Sequence, residues 1–321
     1  MADLLSFLRL CAASGTLIGS LCGLIFIPLL TWLGVRALAP FILRMRDDAA
    51  WQAPLAAIAA TTPGAMFLLL ALIGLIGASA SGCLAFVWGR GLFGVISVLL
   101  TLAILRAVLR ALERSAQVRK LVGISRPTNP AIAAIAQRCG VRVRVVDYAD
   151  AFCALAGFWN PVVLISRATL ERLSTEELEA ALRHEHAHAA RFDLILAAAL
   201  SFFADLLPLP ADDLVETYAT ARERAADERA VQHCDPTTLA SAIVAVATTR
   251  STRAVAALAE DAHSAKQRVL TLLSASADHA NPRRRRLIAC ASLVVIIVLS
   301  IVPAIVSATN FYSCAIAGMH G

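Results

Sequence analysis

The sequence predicts a membrane protein of about four transmembrane α-helices that carries a cytosolic α+β domain, and three observations lead there. Hydrophobic residues fill 59% of the 321 positions and charged residues only 16%, with a mean hydropathy of +0.71, far from the balance of a soluble globular domain. Apolar runs long enough to span a hydrocarbon core occur at about 10–38, 64–88, 91–112 and 287–311. Between the third and fourth runs, 115–286 is a mixed segment long enough to bury a core of its own.

The first run reads as a retained span. It lacks a basic leader, its apolar part exceeds that of a signal peptide, and no small-residue cleavage site stands out. Residues 39–63 read as a cytosolic loop, so that 1–114 holds three spans. The second and third runs are parted only by Gly89 and Arg90, the expected turn of a tight helical hairpin. Arg36, Arg44 and Arg46 follow the first run, Arg106, Arg110, Arg114, Arg119 and Lys120 end the third, and Arg283 to Arg286 precede the fourth. With four spans all three clusters fall on one side, and that side is the cytoplasm. The expectation is an inner (plasma) membrane protein with its N-terminus and the 312–321 tail extracytoplasmic. The net charge of +6 then belongs to membrane flanks facing anionic headgroups of the lipid bilayer, and no nucleic-acid partner is expected. The eight cysteines form no C-x-x-C pair and read as free thiols.

Within the cytosolic segment, Asn129-Pro130 opens a short helix that Gly140 closes, the usual cap, first-turn proline and terminal glycine. Val141 to Val145 alternates with period two, as a half-exposed strand does, and Pro161 to Ile165 reads as a second strand after a Gly157 to Asn160 turn. Ser174 to Glu177 is a capping box that starts a helix running through His188. Leu194 to Leu209 is apolar but broken by Asp205 and Pro208, which suits an interfacial or core helix, with a re-entrant segment as the rival. Helices are expected at about 211–233, 238–249 and 254–274.

The chemistry sits on two of these helices. His184-Glu185-His186-Ala187-His188 reads H-E-x-x-H, placing two imidazoles one turn apart on one face, where both can bind one zinc ion. Glu185 beside the first can take a proton from the attacking water. His186 points about 200° round the helix from His184 and stays out of that set. Further on, Glu223-Arg224-Ala225-Ala226-Asp227 reads E-x-x-A-D: Glu223 offers a third ligand, and Asp227 one turn later can accept the free ring N–H of a ligating histidine. Set against an ordinary charged helix face, the pair of motifs in this order favours one Zn2+ and hydrolysis. His233 and Arg268 are polar candidates for an oxyanion stabiliser, though a surface position suits each better.

Taken with Ala156 to Leu164 ahead of the active-site helix, with Leu182, Arg183 and Asp193 around H-E-x-x-H, and with three spans before and one after, these motifs resemble the integral membrane zinc metallopeptidases of the BlaR/MecR type. The resemblance implies a zincin-like (gluzincin) peptidase domain in the cytoplasm, with His184, His188 and Glu223 as zinc ligands and Glu185 as general base. It also implies a protein substrate in regulatory signalling, such as a transcriptional repressor. Well-known members carry a β-lactam-binding sensor after the last span; this sequence stops at Gly321, so sensing by such a domain is not expected. The HtpX-type membrane proteases share both motifs, and Gln267-Arg268-Val269 with Leu272 resembles a later pattern of theirs, which implies quality-control proteolysis instead. A non-catalytic signalling scaffold with a structural zinc is the third reading. An edge strand at Pro161 to Ile165 would hold substrate by main-chain pairing.

Overall fold

The computed structural model describes residues 16–44, 49–80, 87–207, 209–247, 262–274 and 286–301. Three long helices come first: α1 (Thr16–Leu43), α2 (Ala49–Ala80) and α3 (Val87–Ile124). Among the described residues, one stretch is long and apolar enough to cross a membrane: Trp51–Leu72 of α2, with a hydropathy of 2.0. Ile27–Leu43 and the last described helix, Arg286–Ile301, are apolar but shorter.

Two boundaries differ from those read in the sequence. Of the segment 39–63, expected as a loop, residues 39–43 and 49–63 are helical, because α1 continues to Leu43 and α2 already begins at Ala49, while 45–48 lie outside the described residues. Pro54 and Pro63 both lie inside α2. The buried alanines Ala53, Ala56, Ala57 and Ala60 explain why it still forms, since small side chains admit a neighbouring helix closely and packing outweighs the missing N–H donors. Gly89 and Arg90, expected at a hairpin turn, are helical residues of α3. A glycine lowers helix propensity by only about 1 kcal/mol and does not stop a long helix. The junction between α2 and α3 falls at 81–86, outside the described residues, as do 10–15, 302–311 and the 312–321 tail.

The mixed segment opens with β1 (Arg126–Pro127) and α4 (Pro130–Arg138), whose Asn129 cap accepts the Ile132 N–H and whose Gly140 takes φ +71°. Then come β2 (Val143–Val146), β3 (Cys153–Ala156) and β4 (Val162–Ser166). The sheet order is β1-β2-β4-β3, with β2 and β4 parallel and the outer pairs antiparallel. β4 is therefore interior, and the edge strands are β1 and β3. That corrects the expectation of an edge at Pro161 to Ile165. The burial of Val163, Leu164 and Ile165, all 0% exposed, is the reason, because a run apolar on both faces belongs inside a sheet.

After α5 (Arg167–Arg172), α6 (Thr175–Ala190) lies against β3. α7 (Asp193–Leu206), α8 (Asp212–Ala230), α9 (Pro236–Ala247) and α10 (Ala262–Leu273) complete the segment. Residues 248–261 lie outside the described ones. One core cluster joins Val35, Leu38 and Ile42 of α1 and the alanines of α2 to Leu200 of α7 and Leu214, Tyr218, Ala221 and Ala225 of α8. The boundary drawn at 114/115 thus does not separate two cores: the helix bearing Glu223 is seated directly on α1 and α2. A second cluster under the sheet seats α6 through Leu178 and Leu182 against Val163 and Ile165.

Candidate metal centre

α6 starts where its sequence tells it to. Ser174 accepts the Glu177 N–H at 3.2 Å, and the Glu177 carboxylate accepts the Ser174 N–H at 2.8 Å. From that fixed end the apolar residues Leu178 and Leu182 turn toward the sheet, and His184, Glu185 and His188 emerge on a neighbouring face, each 7–8% exposed. α8 reaches the same place because Leu214, Tyr218, Ala221 and Ala225 bury its other face.

The two helices bring three donor groups together. His184 Nε2 lies 3.0 Å from His188 Nε2 and 3.3 Å from Glu223 Oε2, and His188 Nε2 lies 3.5 Å from Glu223 Oε1. Tetrahedral zinc with ligands at about 2.0–2.1 Å sets its ligand atoms about 3.3 Å apart. These three edges match that spacing, and among the described residues the cluster offers three donors, His184, His188 and Glu223. The donor set therefore fits zinc.

Each histidine is oriented through its other nitrogen. Asp227 Oδ1 sits 2.9 Å from His184 Nδ1, and Asp193 Oδ2 sits 2.8 Å from His188 Nδ1. A carboxylate there fixes the tautomer that leaves Nε2 free to bind metal and raises its basicity. Asp227 is held by Arg268, whose Nη2 and Nε donate to its two oxygens at 2.6 and 2.8 Å, and Arg268 Nη1 lies 3.2 Å from Glu223 Oε2. Arg222 donates to Glu223 Oε1 at 2.7 Å. Arg268 is 7% exposed, so the surface position expected for it is wrong: a carboxylate cluster this deep needs a cation beside it. His233 is exposed, and His186 stays out of the donor set with its ring beside Gly140.

Protonation follows from burial and neighbours. Burial and the His188 charge act oppositely on Glu185; burial prevails and raises its carboxyl above the ordinary range. On Glu223 burial pushes upward, but the charges of His188 and Arg222 and the histidine hydrogen bonds outweigh it and hold the carboxylate well below that range. For Asp227, Arg268 and His184 overcome the effect of burial in the same way. Burial and Arg268 push His184 down, yet the hydrogen bonds to Asp227 and Glu223 raise it to about 10.

Arg268 and Asp193 are the residues hardest to find from sequence. Asp193 lies past the end of α6, beyond the reach of helical periodicity. Arg268 stands 41 residues from Asp227, with only its place in a short apolar pattern to mark it. The four cysteines whose side chains are described, Cys139, Cys153, Cys234 and Cys290, are all free thiols.

Two histidines one turn apart, a glutamate from a second helix and a buried glutamate between the histidines make the donor set of a metallopeptidase. Residues 80–272 match the family described as BlaR1 peptidase M56. That is more than half of the chain, and the protein belongs to this family, whose members are zinc metallopeptidases of membranes. A search of curated proteins finds no match.

Proposed function

We propose that this chain is an integral-membrane zinc endopeptidase that cuts a cytosolic or membrane-associated protein as a step in regulatory signalling, with a repressor as the kind of substrate. The observation that carries the reading is the convergence of His184, His188 and Glu223 at zinc-ligand spacing beside the buried Glu185. Zn2+ bound there supplies the Lewis acid that polarises the scissile carbonyl and acidifies the attacking water. Glu185 removes the water's proton and delivers it to the leaving amine, and the burial that raises its pKa favours the protonated carboxyl from which that proton is delivered. An extended substrate segment pairs along the edge of β3, which packs on α6, so its scissile bond lies over the motif.

Four spans, a cytoplasmic peptidase domain and extracytoplasmic termini fit the distribution of basic residues, since Arg36 and the Arg106 to Lys120 flank lie in the second halves of α1 and α3, and Arg36 pairs with Asp213 of α8, the helix that carries Glu223. Comparing membrane and cytosolic proteomes of cells carrying the wild type and Glu185→Gln tests the activity: a protein fragment present only with the wild type is expected. Identical fragment patterns in both would remove the peptidase reading. The burial of Arg268 against Asp227 favours a second reading, quality-control proteolysis of the HtpX type, because it gives that resemblance a structural role. Cleavage of unrelated unfolded membrane proteins by the purified enzyme distinguishes it from a single regulatory substrate.

A further inference from the structure

We infer that α7 is a strut that positions the metal-binding His188 from the apolar helices α2 and α3, with Asp193 at its near end and Asp205 at its far end. The inference rests on the zinc reading of the centre.

At the near end Asp193 is 1% exposed, and its Oδ2 holds His188 Nδ1 at 2.8 Å. The Tyr218 hydroxyl donates to the Asp193 carbonyl at 3.5 Å. Phe192, between α6 and α7, takes φ 56° although it is not glycine and is 65% exposed. A bulky residue adopts that conformation only where the surrounding structure fixes the corner. His188 and the first residue of α7 are thus joined by a stiff turn as well as by a hydrogen bond.

At the far end Asp205 is 7% exposed and faces three arginines of α3. Arg110 Nη1 and Arg114 Nη2 each reach one of its oxygens at 2.6 Å, and Arg106 Nε donates to its backbone carbonyl at 3.1 Å. These arginines recur every four residues, one ladder along one face of α3. The sequence reads them as a membrane flank; the structure also gives them a buried carboxylate to hold. Close by, a Cβ on Gly64 of α2 would overlap the Phe203 carbonyl, its carbon only 2.9 Å away, so the backbones of α2 and α7 touch.

A helix rising 1.5 Å per residue carries Asp205 about 18 Å from Asp193. Bonded along its length, it behaves as a rigid element between two discrete anchor points. Displacement of α3 against α2 therefore moves Asp205, α7 and Asp193 together and turns the imidazole of His188 away from Glu223. Asp205, Arg110 and Arg114 are positioning residues: they touch no donor atom of the centre, yet set where one lies.

The test uses the full chain in lipid nanodiscs, with Zn2+ affinity read by competition with a chromogenic chelator and ligand geometry read from the visible absorption of the Co2+ form. Asp193→Asn weakens zinc about 10- to 100-fold, as losses of histidine-orienting carboxylates do. Asp205→Asn weakens it about 10-fold or more and shifts the Co2+ bands, while Asp205→Glu restores both. Because Asp205 acts through Asp193, the double variant Asp193→Asn/Asp205→Asn binds no more weakly than Asp193→Asn alone. Unchanged affinity and spectrum in Asp205→Asn, or losses that add in the double variant, overturn the strut. Should Asp205→Asn fail to fold, Arg110→Gln/Arg114→Gln alters only half-exposed side chains and carries the same comparison. A wild type that binds no zinc overturns the metal centre itself and the strut with it, whereas a zinc-binding wild type with unaltered variants overturns the strut alone.

Discussion

Arg268 grips Asp227 through two donors, Nη2 at 2.6 Å and Nε at 2.8 Å, and both side chains are 7% exposed. Through that fork an arginine on α10 orients the imidazole of His184 on α6, and its Nη2 also lies 3.4 Å from both ring nitrogens of His184. Arg268→Ala leaves a buried carboxylate without its cation, a change that costs about 3–5 kcal/mol. Arg268→Lys keeps the charge but not the planar fork and falls between. Thermal unfolding of the purified protein checks both, and a wild-type midpoint for Arg268→Ala would show that the fork supports nothing.

The capping box of α6 is a second point of control. Ser174→Ala removes an N-cap and is expected to cost about 1 kcal/mol. Its partner Glu177 is held below its ordinary value of 4.5, first by the Ser241 hydroxyl and then by the Ser174 N–H. A depressed carboxyl contributes stability that is fully present above 4.5 and disappears as pH falls through the lowered folded value. Melting curves across the acid range should therefore flatten in Glu177→Gln relative to wild type. A parallel acid-side slope in the two proteins counts against the assignment.

What the sequence announces and what it hides divide along physical lines. The α6 capping box, the α4 cap and the pairing of H-E-x-x-H with Glu223 and Asp227 are local or periodic, and each stands in the structure where the pattern places it. β3 is hidden because Cys153-Ala154-Leu155-Ala156 is short, small and without alternation. The start of α2 is obscured by Pro54 and Pro63, whose cost is met by contacts with α8, far along the chain. Arg268 and the ladder on Asp205 act across long separations, where no sequence period reports a contact, and Asp193, though near His188 in the chain, lies beyond the turn that ends α6.

Gly64 offers a prediction about packing alone. With the Phe203 carbonyl inside the space a new Cβ would need, Gly64→Ala forces α2 and α7 apart. Backbone cannot yield as a flexible side chain does, so the cost reaches at least the roughly 1–3 kcal/mol typical of overpacking. Unfolding midpoints of Gly64→Ala and Gly34→Ala separate the effect from helix propensity, because a Cβ on Gly34 meets only the Ile296 side chain, at 3.4 Å or more. Equal shifts in the two variants would mean that the α2–α7 contact is looser than this overlap implies.

Zinc itself gives the prediction that joins stability to chemistry. A ligand that binds only the folded state at about 100 times its Kd adds about 2.7 kcal/mol, so chelation should lower the melting temperature and zinc readdition should restore it. Glu223→Gln abolishes most of that increment, because an amide replaces the one anionic donor among His184, His188 and Glu223. Glu185→Gln retains it, since Glu185 lies outside the donor set, yet loses cleavage by about 100- to 10,000-fold as a general base is removed. The contrast between the two glutamates is the measurement: one variant must lose zinc and activity together, and the other must lose activity alone. If both lost the zinc increment, Glu185 would be a structural part of the cluster, and the proton transfer assigned to it would have to be carried by another group.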